Sequence, residues 1–372
     1  MNITKVFTLI FSCLLLVACA KRQEAANEVD FEESLGKNSS DWQTILEHPG
    51  NKKRVTLLKD AFTAAKSAPT RCERAKIPKV IHQIWLGPKS LPAYYWEYKR
   101  SWEKMHPGWE YRLWQDKDAE AFDFELKDLF NQSNNWGEKS DILRAEILQA
   151  YGGVYVDVDV ECKKPFDELN EKYDFFAGLE PPHQGDFTQT APHIVISNAL
   201  IGSAAQHPII KEWKMRMRQH WQELEDRLPD SAKRVLLRTF YPFGDAVMTK
   251  ISDPSRINVV LPPTYFYPLT FSEVSKGRLK KLSFFKRQLR AIQACFGKEK
   301  APFVEIRPET MAVHYWGNSW VKSYEERLRE MYRHMMQGQT EMQQKIALLE
   351  ERLALLEAEN ATVILPEKEN AA

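Results

Sequence analysis

Residues 138–162 read EKSDILRAEILQAYGGVYVDVDVEC, and this stretch decides the fold. Its first part predicts a short helix, because apolar residues recur at helical spacing over 141–151, after Ser140, a good N-cap residue. A glycine pair then ends the helix, since glycine adopts left-handed backbone geometry without steric cost. Valine alternates with other residues over 154–160, which predicts a strand. The stretch is therefore a helix, a glycine turn and a strand.

Two carboxylates stand close together on the predicted strand. Asp157 and Asp159 are two residues apart and share one face with Tyr155. At a rise of ~3.3 Å per residue, the two carboxylates lie roughly 7 Å apart. In a purely structural strand this pair costs like-charge repulsion and desolvation, and a divalent cation would offset both. The alternative is an edge strand with a solvated acidic face.

The composition is that of an ordinary globular protein. The chain has 372 residues, 43% hydrophobic and 28% charged, which is enough for a sizeable core. A formal net charge of +1 gives no electrostatic case for nucleic acid as a partner. Beyond the first 19 residues, only Cys72, Cys162 and Cys295 remain, and their spacing fits neither a disulfide framework nor a zinc site.

Residues 1–19 have the pattern of an export signal. Lys5 precedes an apolar run over 6–18, and the run LVAC that ends at Cys19 is typical of a bacterial lipobox. We expect lipidation of Cys19, with plain secretory cleavage or an uncleaved signal anchor as alternatives. An anchor is less favoured because ~13 apolar residues are short for a span of ~20. All three alternatives take the rest of the chain out of the cytoplasm. With lipidation favoured, we expect a membrane-anchored protein of the cell envelope.

Five further segments follow the signal. Residues 20–40 are polar and acidic and predict a tether, and residues 41–76 predict a helical lead-in. The main domain is predicted over 77–323. In 324–363, apolar residues recur every three or four positions from 342 onward, which predicts a helical coiled-coil segment that pairs with further copies or packs on its own domain. A tail, 364–372, completes the chain.

The alternation of elements defines the fold class. A strand over 80–87, a helix over 91–106 and a strand over 109–114 precede the opening stretch. Strands that alternate with helices predict an α/β domain with a mainly parallel sheet. Trp85 stands at the carboxyl end of the first strand, where ligands bind in such sheets. It is a candidate for stacking on a ring, although a lone tryptophan here is more often core.

Several motifs in sequence order resemble one known family. IPKVIHQIWLG (77–87), HPGWEYRLWQD (106–116) and SDILRAEILQAYGGVYVDVDV (140–160) are similar in order and spacing to the DXD-motif glycosyltransferases of family 32. The similarity continues in ISNALIGSAAQHP (196–208) and AVHYWGNSW (312–320). That family includes initiating α-mannosyltransferases and capsular sugar transferases, and its core resembles the catalytic domains of the large clostridial glucosylating toxins.

The resemblance implies a fold, a reaction and a set of site residues. The fold is GT-A, and the reaction is retaining transfer of a hexose from a UDP- or GDP-linked sugar to a glycan, lipid-linked or protein acceptor, with Mn²⁺ or Mg²⁺. No carboxylate stands out as a nucleophile, so we expect front-face displacement assisted by the leaving phosphate. The resemblance also implies a role for each of ten residues. For the donor sugar these are Asp141 and Arg144, and Asp157 contacts both ribose and sugar. Binding of the nucleotide falls to Trp85, Tyr155 and Asn198, binding of the metal to Asp159 and His314, and contact with the diphosphate to Ser319 and Trp320.

The acceptor half is less clearly matched. Phe243-Gly244-Asp245 stands where relatives commonly have a Thr-Gly-Pro turn, so Asp245 is a candidate for the acceptor side. The basic run 276–290 looks inserted and predicts either a solvated helix face or contact with an anionic surface.

Two other functions remain open, because nucleotide sugars are made in the cytoplasm whereas the signal predicts export. One is an envelope-anchored binding or scaffold protein with an inactive transferase fold. The other is a toxin-like glycosyltransferase acting on a host protein. The predicted partners are a nucleotide-sugar donor, an acceptor, the membrane through the N-terminal lipid, and further copies of the chain through 342–363.

Overall fold

Two β-sheets, one of six strands and one of two, form the framework of the part of the chain that the structure describes. A computed structural model describes residues 29–37, 41–47, 49–69, 76–182, 194–224, 234–270 and 306–317. The strands are β1 (Val80–Ile84), β2 (Glu110–Trp114), β3 (Gly153–Val156), β4 (Val160–Cys162), β5 (Phe175–Leu179), β6 (Ile196–Ser203), β7 (Asn258–Leu261) and β8 (Ala312–His314). The larger sheet has the order β2-β1-β3-β6-β5-β7, and β4 pairs with β8 in the smaller one.

Helices connect these strands and pack against them. In chain order they are α1 (Phe31–Ser34), α2 (Asp41–Glu47), α3 (Pro49–Ser67), α4 (Tyr95–Met105), α5 (Asp116–Ala121), α6 (Lys127–Gln132), α7 (Trp136–Tyr151), α8 (Asp167–Lys172), α9 (Pro208–Leu224), α10 (Tyr241–Lys250) and α11 (Pro263–Phe266). A π-helical turn, Leu236–Phe240, precedes α10. The helix of the opening stretch, α7, packs against β3, and α3 packs against β7.

The larger sheet is mainly parallel, as predicted. β1 pairs in parallel with β2 and with β3, and β5 pairs in parallel with β7. Only β6 runs the other way, antiparallel to both β3 and β5. The carboxyl ends of β1, β3 and β5 therefore meet at one edge of the sheet, which is where ligands bind in folds of this class. The α/β prediction is confirmed.

The central strands are buried on both faces. Every residue of the inner strands β1, β3, β5 and β6 is buried, and so is every residue of the edge strand β7, whereas the other edge strand, β2, is largely half-buried. Strands covered on both faces consist of continuous apolar runs, and FFAGL in β5 is such a run. Tyr155 on β3 is also buried, although the alternating sequence pattern predicted that its side chain lies on a polar face of the strand.

His82 on β1 is a satisfied core histidine. Its Nε2 donates to the carbonyl oxygen of Gly152 at 3.0 Å, and the indole N–H of Trp114 donates to its Nδ1 at 3.2 Å. This bonding requires the neutral ring, and burial accordingly lowers the pKa of His82 to about 4. The ring therefore ties β1 to β2 and to the glycine turn that follows α7.

Helix α7 begins earlier than predicted. Asn135 is its N-cap, and its Oδ1 accepts hydrogen bonds from the backbone N–H groups of Gly137 at 2.7 Å and Glu138 at 3.3 Å. Ser140 lies inside the helix, so its prediction as the N-cap is wrong: asparagine is an equally good cap and stands earlier in the chain. The end of the helix is as predicted, with Gly152 in left-handed geometry at φ 64°.

The N-terminal helices are part of the folded core. Phe31 and Leu35, four residues apart, are both buried, and the Phe31 ring packs on Phe62 of α3 at 5.5 Å between centroids. A short buried helix therefore lies inside the stretch predicted as a tether over 20–40, whereas the helical lead-in over 41–76 and the start of the main domain at 77 stay predictions. Two apolar residues on one helical face are enough to dock a segment that is polar on average.

Other predicted features lie outside the described residues. They are the signal with Cys19, the basic run 276–290, Ser319 and Trp320, and the coiled-coil segment with its tail. Within the described ranges, no helix combines the length and the apolar character needed to cross a membrane.

Candidate active site

The two acidic residues of the opening stretch lie in a turn. β3 ends at Val156 and β4 begins at Val160, and between them the N–H of Val160 donates to the carbonyl oxygen of Asp157 at 3.2 Å. The predicted single strand over 154–160 is therefore wrong. The chain bends here because it leaves the larger sheet and pairs with β8 in the smaller one. The turn lies at the carboxyl edge of the larger sheet.

His314 completes a cluster with this turn. β4 and β8 are antiparallel, and Val160 lies opposite His314 in their register. One potential ligand atom from each of Asp157, Asp159 and His314 lies within 4.8 Å of the others. The sequence had assigned Asp159 and His314 to a metal, and the structure adds Asp157 to the same cluster.

Asp159 is buried with its charge retained. Only 6% of its surface is exposed, its Oδ2 accepts the N–H of Gly317 at 2.5 Å, and His314 Nε2 lies 3.2 Å from its Oδ1. Burial favours the neutral acid, but His314 and the Gly317 N–H together hold the pKa of Asp159 below its usual range. The carboxylate is therefore ionised at neutral pH.

The cluster fits a divalent cation. The buried Oδ1 of Asp159 faces the His314 ring, and the Nδ1 of His314 is buried without a hydrogen-bond partner among the described residues. Buried polar atoms are rarely left so, and an ionised carboxylate beside a second carboxylate and an imidazole is a ligand set for a hard or borderline metal ion. Asp157, Asp159 and His314 would hold that ion.

A buried ion-pair network adjoins the cluster. Arg144 Nη2 lies 3.1 Å from Asp141 Oδ1 and 3.2 Å from Asp157 Oδ1, so the guanidinium bridges α7 and the acidic turn. Arg144 Nη1 donates to the carbonyl oxygen of Asn198 on β6 at 2.6 Å. Although burial opposes the charge, the two aspartates raise the pKa of Arg144 above its usual range. The structure thus brings together four of the predicted site residues.

Asp141 is held by three donors. Besides Arg144, its Oδ1 accepts the side-chain N–H of Asn198 at 3.0 Å, and its Oδ2 accepts the hydroxyl of Thr239 at 2.5 Å. Burial raises the pKa of Asp141 to about 6, with these donors acting in the opposite direction. Thr239 lies in the π-helical turn, and nothing in the sequence pointed to it.

Tyr155 contacts the acidic turn directly. Its hydroxyl donates to Asp157 Oδ1 at 2.7 Å, and the guanidinium of Arg144 lies over its ring at 4.3 Å from the centroid. Burial raises the pKa of this phenol well above its usual range, so it stays a donor. In the structure, Tyr155 orients Asp157 and Arg144; its support of a nucleotide stays a prediction.

Trp85 lies at the same edge of the sheet. It directly follows β1, its N–H donates to the carbonyl oxygen of Trp114 at 2.9 Å, and its indole N–H donates to the carbonyl oxygen of Lys89 at 2.6 Å. The ring is half-buried rather than part of the core. Its position agrees with the predicted stacking on a base, which stays a prediction.

Asp245 does not lie in a turn. It belongs to α10 together with Phe243, which is fully buried against Trp213 at 4.8 Å between ring centroids. The carboxylate of Asp245 forms an ion pair of 2.6 Å with Arg54 on α3. In the structure Asp245 thus pairs with a basic residue on a neighbouring helix, and its role on the acceptor side stays a prediction.

The fold and this site define an α/β protein with an acidic, metal-binding type of turn at the carboxyl edge of its sheet, and part of the chain matches the sugar-binding region of DXD glycosyltransferases. Residues 92–176, from just before α4 into β5, match the family described as "Glycosyltransferase sugar-binding region containing DXD motif". The resemblance inferred from the motifs is confirmed.

Individual relatives are similar to part of the chain. The chain is 32% identical over 158 residues to inositol phosphoceramide mannosyltransferase 1 of Schizosaccharomyces pombe, covering 39% of this chain and 43% of that protein. It is 31% identical over 145 residues to subversion of eukaryotic traffic protein A of Legionella pneumophila, covering 32% and 22% respectively. The solved structure of the PaToxG glycosyltransferase is similar with a TM-score of 0.36 at 19% identity, over 63% of this chain and 84% of that one. The chain spans less than half the length of these two curated relatives.

Proposed function

We propose that the chain is a metal-dependent, retaining glycosyltransferase that moves a hexose from a UDP- or GDP-linked sugar to a glycan, lipid-linked or protein acceptor. The observation that carries this proposal is the convergence of Asp157, Asp159 and His314 within 4.8 Å, beside the buried Asp141–Arg144 pair. The residues proposed as metal ligands thus lie next to the pair proposed to bind the donor sugar, at the carboxyl edge of the sheet.

The chemistry requires charge stabilisation at the leaving group. A nucleoside diphosphate gains negative charge as the bond to the sugar breaks, and a divalent ion held by the cluster would neutralise that charge. The protein itself would contribute charged groups that are held in fixed positions around the donor. Arg144 is locked between two aspartates, and its Nε is buried without a hydrogen-bond partner among the described residues. That N–H is a donor available to a sugar hydroxyl.

The ligand set favours Mn²⁺ over Mg²⁺. Two carboxylates and one imidazole form the cluster, and imidazole binds readily to transition metals whereas Mg²⁺ prefers an all-oxygen shell. The product is expected to keep the donor's α configuration, because the family that the motifs resemble is retaining. No carboxylate in the sequence stands out as the nucleophile of a double displacement, so we expect front-face displacement assisted by the leaving phosphate. An NMR assignment of a β linkage in the product would exclude this mechanism.

Names of the relatives suggest which substrates to test first. The Schizosaccharomyces pombe relative is named for mannose transfer to inositol phosphoceramide, so mannose and lipid-linked polyols are the first candidates. The Legionella pneumophila relative is named for subversion of eukaryotic traffic, which keeps a host protein as the alternative acceptor. An inactive scaffold is the third possibility, and it predicts no turnover of any donor.

A donor panel tests the proposal. We expect one nucleotide sugar, with Mn²⁺, to raise the melting temperature of the purified protein and to release its nucleoside diphosphate slowly in water. A ligand at a hundred times its Kd stabilises the native state by about 2.7 kcal/mol, which a thermal-shift assay detects readily. EDTA should remove both effects, and Mn²⁺ should restore them. If no donor on a panel of UDP- and GDP-linked hexoses is bound or hydrolysed, the transferase proposal is wrong.

We also propose that the chain is exported and anchored in the cell envelope through a lipid on Cys19. The supporting feature is the LVAC sequence after the apolar run. In a bacterial expression host, we expect wild-type protein to incorporate a labelled fatty acid and Cys19→Ser to lose the label. Cys13→Ser is the matched control and should keep it, since Cys13 lies inside the apolar run. An unlabelled wild-type protein would contradict lipidation.

A further inference from the structure

Thr239 lies in a helical turn that is wider than a turn of α-helix. The N–H of Tyr241 donates to the carbonyl oxygen of Leu236, five residues earlier, which is the hydrogen bond of a π-helix. Such turns are rare, and they lie frequently at functional sites. The side chain of Thr239 is fully buried and contacts Asp141 on α7. The π-helical turn therefore brings a buried hydroxyl to a residue proposed to bind the donor sugar.

Helix α9 holds this turn in place. The indole N–H of Trp213 donates to the carbonyl oxygen of Thr239 at 2.7 Å, and Nδ1 of His220 donates to the carbonyl oxygen of Leu237 at 2.9 Å. Both bonds go to backbone atoms of the turn. The position of Thr239 is thus fixed through its backbone, and a change of its side chain leaves these two bonds in place.

The hydroxyl of Thr239 has two acceptors within reach. Its Oγ1 lies 2.5 Å from Asp141 Oδ2 and 2.8 Å from the carbonyl oxygen of Val235, four residues earlier. A hydroxyl group has one hydrogen, and the ionised carboxylate is the favoured acceptor because hydrogen bonds to charged groups are stronger. The contact with Val235 is a common local contact of threonine in helices, and it keeps the side chain turned toward Asp141.

The bond from Thr239 fixes the plane of the Asp141 carboxylate. Arg144 and the side chain of Asn198 both contact Oδ1, at 3.1 and 3.0 Å, whereas Thr239 contacts Oδ2. Contacts on both oxygens restrict rotation of the carboxylate about its Cβ–Cγ bond. A carboxylate has about four lone pairs, two on each oxygen, so one lone pair on Oδ2 stays available for a sugar hydroxyl.

We propose that Thr239 is a positioning residue, whose hydroxyl orients the Asp141 carboxylate so that Oδ2 accepts a hydroxyl group of the donor sugar. This inference rests on the proposed function, because Asp141 binds a donor sugar only in a glycosyltransferase. Thr239 acts through Asp141 and does not itself contact the donor. Loss of its hydroxyl should therefore weaken binding of the sugar part of the donor and leave binding of the nucleoside diphosphate unchanged.

The test compares variants of Thr239 that keep the hydroxyl with variants that lose it. Calorimetric titration of the full-length protein with Mn²⁺ measures the Kd of the UDP- or GDP-linked hexose that raises the melting temperature most, and the Kd of UDP or GDP alone. We expect Thr239→Val and Thr239→Ala to raise the Kd of the nucleotide sugar at least tenfold, about the effect of one lost hydrogen bond. The Kd of the nucleoside diphosphate should stay within about threefold of the wild-type value.

Thr239→Ser is the conservative variant and should restore binding of the nucleotide sugar. It differs from Thr239→Ala by the hydroxyl alone, so this pair separates the hydrogen bond from the loss of the methyl group. Thr63→Val is the matched control. Its hydroxyl makes the same local contact, with the carbonyl oxygen of Lys59 at 2.9 Å, on the exposed face of α3. Thr63→Val should change neither Kd.

A double-mutant cycle tests whether Thr239 acts through Asp141. Asp141→Ala removes the carboxylate that Thr239 orients, and the Thr239 hydroxyl keeps the carbonyl oxygen of Val235 as its acceptor. Thr239→Val should then weaken binding of the nucleotide sugar no further when it is combined with Asp141→Ala, because residues that act through one contact are not additive. Additive losses in the double variant would contradict a role through Asp141.

Three other outcomes would overturn the inference while leaving the proposed function intact. One is that Thr239→Val and Thr239→Ala bind the nucleotide sugar as tightly as the wild type. Another is that they lose the nucleoside diphosphate as severely as the nucleotide sugar, which would indicate general damage to the site. The third is that they do not fold although Thr239→Ser does, which would assign the hydroxyl to the stability of the fold. Wild-type protein that binds no nucleotide sugar with Mn²⁺ overturns the proposed function itself, and the role of Thr239 with it.

Discussion

Asp159→Asn is expected to lower metal-dependent release of nucleoside diphosphate at least a hundredfold. The exchange keeps the size of the side chain and an oxygen for the N–H of Gly317, but it removes the negative charge that a divalent ion needs. A hundredfold loss corresponds to about 2.7 kcal/mol in the activation barrier, which is within the several kcal/mol that metal ions contribute at developing charges. The measurement is the initial rate with saturating donor and Mn²⁺.

A second readout does not depend on activity. Titration of Mn²⁺ followed by electron paramagnetic resonance should show weaker binding to Asp159→Asn than to the wild type. The matched control is Asp167→Asn on α8, whose carboxylate pairs with Lys79 at the surface; it should match the wild type in rate and in Mn²⁺ affinity. Turnover of Asp159→Asn within threefold of the wild type, in a folded protein, would remove the metal from the mechanism.

Gly153→Ala is expected to destabilise the fold by about 3 kcal/mol or more, the sum of left-handed backbone strain and a steric clash. Gly153 has φ +98°, and a Cβ there would lie 2.6 Å from Val80 Cγ1 and 2.8 Å from the carbonyl oxygen of Val80. The backbone oxygen belongs to β1 and cannot move without disturbing the sheet. Urea unfolding at neutral pH measures the loss.

Gly108→Ala is a control for the conformational part of this effect. Gly108 has φ +85°, but a Cβ there would meet nothing within 4 Å. Only the backbone strain of about 1–2 kcal/mol should appear. Equal losses for the two variants would show that the close approach of β1 to the turn contributes nothing. A larger loss for Gly153→Ala identifies the glycine pair as the element that lets α7, β1 and β3 converge on the site.

Much of the fold could be predicted because it depends on local patterns. The end of α7 at Gly152, the strand that holds Trp85 at its carboxyl end, and the alternation of helices and strands all follow from spacing and glycine placement. The motif order led to the family that residues 92–176 match. Errors occurred where two local signals competed: Asn135 and Ser140 are both good caps, and valine alternation continues past the end of β3 at Val156.

The sequence by itself therefore determined the fold class, the family resemblance and the identity of the acidic pair, since these depend on residues near one another along the chain. Only the tertiary structure decided that Asp157 and Asp159 lie in a turn, because pairing of β4 with a strand from the far end of the chain bends the backbone there. It also brought Thr239, which is far from Asp141 in the sequence, to that carboxylate. Contacts across strands of the sheet depend on long-range packing, and such packing leaves no periodic signal in the sequence.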